Sequence, residues 1–144
     1  MYKVLASGFT FPAVSGLHCD DGYYYPLLEE NDSILALGES PMRVEAGTVT
    51  ATLLPSFEVS AENGEDLLVG GSGSWEGEGF LALVDRESRE ARWVLYDEEG
   101  EEFVEAIQRS GVVYAVSDGY PSRFEWEVRC GKRPIVKCIR AHVT

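Results

Sequence analysis

In the segment RFEWEVRC, residues 123–130, Phe124, Trp126, Val128 and Cys130 alternate with Arg123, Glu125, Glu127 and Arg129. Side chains repeat direction every second residue only in extended backbone, so this period predicts a strand with one buried and one wetted face. TVTATL, residues 48–53, repeats the pattern, with Val49, Ala51 and Leu53 opposing three threonines, a residue that suits an exposed strand face. Further short runs at Tyr2 to Ala6, Ser33 to Leu37, Phe57 to Ser60, Phe80 to Val84, Arg92 to Tyr96, Val112 to Ser117 and Pro134 to Ala141 are separated in many places by Gly, Pro, Asn and Asp, the punctuation of strands.

Strands so short and so close are expected to pair antiparallel. DRESRE at 85–90 would join FLALV to RWVLY, and RSG at 109–111 would join FVEAIQ to VVYAVS, both as hairpin loops. The run EEFVEAIQR also sets Phe103 four residues before Ile107 and Glu105 four before Arg109, as an amphipathic helix would; the strand reading is preferred. SILALGES, FLALVDRES and VVYAVSDG each put an apolar run before a polar turn, at separations too unequal for a regular array, and residues 79–128 resemble the local meander of a propeller blade. The expected fold is one all-β domain over 1–144, mainly antiparallel, a β-sandwich or a rolled barrel-like meander with at most one short helix. A chain of 144 residues buries one core without disulfides or metal.

Residues 70–80, GGSGSWEGEGF, invite comparison with a phosphate-binding loop. Such a loop ends in lysine and a hydroxyl, whereas this one carries Glu76 and Glu78, which repel phosphate. From Leu67 to Leu83 the odd positions are apolar or glycine and the even ones from Ser72 to Glu78 are polar. The segment is therefore read as a bent strand pair with Trp75 lying across glycines; an exposed Trp75 would instead be an interface anchor.

The formal charge is −13, and residues 1–85 hold 14 acids against Lys3 and Arg43 alone. Nucleic acid is disfavoured, and no nucleic-acid partner is expected, because phosphates need a basic face. A basic protein is favoured, since a long-range negative field speeds its approach. CDDGYYYPLLEEND, residues 19–32, is the leading patch: Asp20, Asp21, Glu29, Glu30 and Asp32 frame Tyr23, Tyr24 and Tyr25, and tyrosine supplies rigid amphipathic contact area. The competing reading puts alternate tyrosines in the core and the acids on turns. Trp75, Glu76 and Glu78 complete the set of partner-binding candidates.

Signals of catalysis are weak, and the chain is read as a non-enzyme without metal or cofactor. His18 and Cys19 are adjacent and so point to opposite faces of a strand, which disfavours one shared zinc. Ser15, His18 and Asp20 lie close in sequence but lack a nucleophile elbow. Paired acids such as those of YDEEGEE are read as solvated loop residues, and neither DDGYYY nor DEEGEE follows the calcium-loop pattern. Cys19, Cys130 and Cys138 are expected as buried free thiols. Ser7, Gly8, Thr10 and Pro12 interrupt any signal-peptide core and no run reaches membrane-span length, so a cytoplasmic protein without membrane contact is expected.

The Gly71 to Phe80 stretch with Trp75, together with FLALVD, RWVLYD and EEFVEAI, resembles small acidic bacterial immunity proteins of polymorphic and contact-dependent toxin systems. The likeness covers roughly residues 67–128. It implies a protein that binds and blocks one cognate toxin, often a nuclease with a basic active site. The alternative is a β-barrel or sandwich holding a small molecule in a pocket lined by Trp75, Trp93 and Trp126. The sequence leaves the oligomeric state open.

Overall fold

The computed structural model describes residues 2–31, 34–74, 77–119, 122–131 and 133–141; for residues 29–31, 34–36, 122, 140 and 141 it describes the backbone alone. Thirteen strands and no helix occur among these residues: β1 Phe9–Pro12, β2 Gly16–Cys19, β3 Tyr23–Asn31, β4 Ile34–Leu37, β5 Met42–Arg43, β6 Thr50–Ser60, β7 Asp66–Gly73, β8 Gly79–Asp85, β9 Ala91–Asp97, β10 Phe103–Arg109, β11 Val112–Gly119, β12 Ser122–Arg129 and β13 Ile135–Ala141. Neighbours pair antiparallel in the order β1-β6-β7-β8-β9-β2-β3-β4-β13-β12-β11-β10, with β5 on β3. The protein is all-β, as expected, and one of its sheets curls into a half-barrel.

Strand β3 joins two sheets. Its first half pairs β2 and β5, and from Leu27 onward it pairs β4; Pro26 stands at the change of partner. Central strands β7 to β9 are buried on both faces, which explains why LLVGG, FLALV and WVLY read as continuous apolar runs rather than alternating ones. Leu67, Val69, Phe80, Ala82, Val94 and Tyr96 face the hollow of the half-barrel, where they meet Phe9, Phe11 and Leu53. Leu68, Leu81, Trp93 and Leu95 face the second sheet and pack on Phe103, Val113, Ala115, Trp126, Val128 and Cys138.

Several expectations are corrected. Residues 50–53 of TVTATL and residues 57–60 form one strand, β6, carried past Pro55 by a bulge between Pro55 and Phe57, where a residue without an N–H is tolerated. Val49 precedes that strand and is 76% exposed. Residues 2–6 form no strand beyond an isolated bridge between Lys3 and Glu90, although Val4 is fully buried in the core. The propeller-like meander is interrupted, because β9 and β10 lie in different sheets. Residues 103–109 are strand, and their turn has Ser110 and Gly111 at φ 50° and 78°, the two positive values of a type I′ hairpin.

The glycine-rich stretch belongs to the sheet, but its phase does not run through. Val69 pairs Ala82 and Gly71 pairs Phe80, so odd positions of β7 share a face with even positions of β8; the turn between them resets the period. Trp75 lies outside the described residues. Glycine is required at Gly71 because a Cβ there would overlap the Leu54 carbonyl oxygen of the bulged β6.

Candidate functional site

Strand β2 ends at Cys19, and a turn through Asp20, Asp21 and Gly22 feeds β3. Gly22 supplies the positive φ of 86°, and Asp21 Oδ1 accepts the Tyr23 amide at 3.0 Å. Alternation then separates the tyrosines. Tyr24 turns into the half-barrel, stacked on His18 with ring centroids 4.9 Å apart. Tyr23 and Tyr25 turn out, and with Asp20, Asp21, Cys19, Arg92, Trp93 and Cys130 they line a cleft of about 290 Å³. Arg92 is already engaged, by Asp66 at 2.9 Å and Asp85 at 3.7 Å; its hydrogen bond holds the buried Asp66 carboxyl below the usual range. Arg43 of β5 lies over the Tyr23 ring at 5.2 Å, so this wall already accepts a cation on an aromatic face.

The remaining candidates lie elsewhere. Glu29 and Glu30 belong to the second half of β3, which pairs β4 in the other sheet, and Asp32, Trp75 and Glu76 lie outside the described residues. Glu78 precedes β8, whose Gly79 pairs Asp97 at one end of β9, whereas Cys19 pairs Trp93 at the other. Of the proposed residues, the structure thus gathers Asp20, Asp21, Tyr23 and Tyr25 and puts Tyr24 in the core. Of the three tryptophans of the pocket reading, Trp75 lies outside the described residues and Trp93 and Trp126 fill the packed layer between the sheets; Trp126 Nε1 donates to Ser117 Oγ at 2.9 Å.

Glu78 instead joins an anionic end with the acids of YDEEGEE, whose first acid is not a solvated loop residue. Asp97 is buried, and burial, then the charges of Glu99, Glu101 and Glu98, push its carboxyl up to about 6. The neighbouring Tyr96 hydroxyl is pushed above its usual range by burial and then by Glu78. The signal was the parity of Asp97 with Trp93 and Leu95, both directed into the intersheet core.

His18 Nε2 sits 2.8 Å from the Val14 carbonyl, and burial lowers the imidazole to about 4. Ser15 Oγ accepts the Glu98 amide at 2.8 Å, so Ser15 anchors a turn and His18 serves the core. The three cysteines are free, but only Cys138 is buried; Cys19 is half-buried and Cys130 exposed, correcting the expectation of three buried thiols. Burial pushes the Cys130 and Cys138 thiols up to about 12, whereas Cys19 is raised with less of its thiol enclosed, so under native conditions iodoacetamide is expected to modify Cys19 first and to spare Cys138 until urea unfolds the chain, which peptide mass mapping will show.

No family model matches the chain, and no curated protein or solved structure matches it either. Among the described residues no helix is long and apolar enough to cross a membrane.

Proposed function

We propose that the protein is a binding module for a cationic protein, and more specifically an immunity-type inhibitor that covers the basic active site of a cognate nuclease-like toxin in the cytoplasm. The observation that carries this reading is the cleft in which Asp20 and Asp21 stand beside the outward rings of Tyr23 and Tyr25. Its 290 Å³ suits one long side chain. A lysine or arginine entering there lays its stem on the rings and brings its charge to the carboxylates, while the −13 chain draws the partner in from a distance. The same field repels nucleic acid.

The test is a pull-down from the source cells with wild type and Asp20→Asn/Asp21→Asn as baits, at low and high salt. A basic protein retained by wild type at low salt should associate with the double variant about tenfold more slowly and with a flatter salt dependence. Retention of no basic protein at either salt, or an equal association rate for the two baits, would count against the reading.

A further inference from the structure

The outer face of the second sheet has a charge pattern unlike the rest of the molecule. Cross-strand register sets three rows on it. The first is Glu105, Val116, Glu125 and Ile139; the middle is Ile107, Tyr114, Glu127 and Lys137; the third is Arg109, Val112, Arg129 and Ile135. Three glutamates meet three bases, so this face is neutral on a chain of charge −13. It is also apolar at its centre, with Ile107, Tyr114 and Ile139 exposed by 48%, 39% and 56%. Hollows of about 480 and 600 Å³ flank the ridge made by Ile107 and Tyr114. Arg129 reaches Glu127 at 3.7 Å and Arg123 reaches Glu105 at 3.8 Å, whereas Glu125, Arg109 and Lys137 form no ion pair among the described residues.

We infer that this face docks a second copy of the chain as a symmetric dimer. A two-fold axis in the contact plane along the middle row keeps each strand over its own mate and turns the first row of one copy onto the third row of the other. Glu105 then faces Arg109, Glu125 faces Arg129, Val116 faces Val112 and Ile139 faces Ile135. A face that matches itself under a two-fold is what an isologous interface needs. The middle row meets itself, so Glu127 faces Glu127 and Lys137 faces Lys137, each like pair lying beside the opposite charge on the neighbouring strand, and the angle of about 30° between aligned sheets displaces each Ile107 and Tyr114 ridge sideways into a hollow of the other copy. Charge selects this occupant over a basic partner, because a neutral face offers a cation no net attraction, while acidic copies repel each other elsewhere. Four strands about 4.8 Å apart and about five residues deep make a patch of roughly 300 Å² per copy, below the range of stable interfaces, so the dimer is a weak and reversible one. A dissociation constant on the order of 10 µM is therefore expected.

Sedimentation equilibrium of the full chain from about 1 to 200 µM, at a near-physiological ionic strength of about 0.15 M, tests this. Wild type should pass from monomer to dimer across that range. Glu125→Arg and Arg129→Glu should each weaken association at least tenfold, because each sets like charges face to face twice per dimer, and the double variant should return to within about threefold of wild type. Ile139→Lys, at an exposed position that leaves folding intact, should weaken it without rescue by either charge change. A wild type that stays monomeric at the top of the range overturns the inference. So do single reversals that leave association unchanged, or a double variant that keeps its native near-ultraviolet dichroism and still fails to dimerise.

Discussion

Asp97→Asn is expected to stabilise the protein at pH 8 by about 1–3 kcal/mol and to change little at pH 4. Asp97 ends β9 in the intersheet layer, and its carboxyl lies at about 6 in the folded chain against 3.8 ordinarily. The folded state therefore holds this proton more tightly than the unfolded one. Stability contributed by the protonated form is complete below 3.8 and is lost as pH rises through 6. At about 1.4 kcal/mol per pH unit the loss is about 3 kcal/mol; asparagine, uncharged at all pH, avoids it and can still accept the Glu99 amide that Asp97 Oδ1 receives at 3.3 Å.

His18 acts in the opposite sense. Its folded value of about 4 lies below the ordinary 6.5, so its contribution is complete above 6.5 and is lost as pH falls through 4, again about 3 kcal/mol. In wild type the two slopes nearly cancel between about pH 4 and 6. In Asp97→Asn the His18 slope stands alone, and stability should fall steadily on acidification. Urea midpoints at pH 4, 6 and 8 check this; a variant no more stable than wild type at pH 8, with an unaltered pH profile, would refute it.

Gly79→Ala should lose about 3 kcal/mol or more. Gly79 opens β8, and the crossover from β9 to β10 runs directly over it. An added methyl group would overlap the Glu101 carbonyl oxygen, stand 3.0 Å from the Glu101 carbonyl carbon and 3.3 Å from Phe103 Cδ2. Backbone cannot rotate aside as a side chain can, so the crossover must lift, drawing the fully buried Phe103 away from Trp126, whose ring centroid is 5.3 Å distant. Gly131→Ala is the control, since nothing lies within 4 Å of its added Cβ, and should stay within about 0.5 kcal/mol of wild type. Equal urea midpoints for the two variants would show that the crossover yields without cost.

Half of the candidate cleft was legible and half was not. Asp20, Asp21 and the tyrosines stand together in the chain, and alternation along β3 foretells that Tyr24 parts from Tyr23 and Tyr25. Trp93 and Cys130 arrive from β9 and from beyond β12, and no spacing in the sequence announces them. The charge asymmetry proved misleading in space. Asp66 and Asp85 of the acid-rich part hold Arg92, and Glu58 holds Arg89, because β9 pairs between β8 and β2 and, with the turn that precedes it, carries later bases among earlier acids.

The sequence by itself determined the strands with one wet face, above all β12, and the hairpin turns at 85–90 and 109–111. Those features depend on side-chain direction and backbone preference, which act between residues a few positions apart. Only the tertiary structure decided that β7 to β9 are buried on both sides, that β3 serves two sheets, and that Asp97 is enclosed. Burial is a property of what lies across a layer, and the residues that cover a strand come from distant parts of the chain.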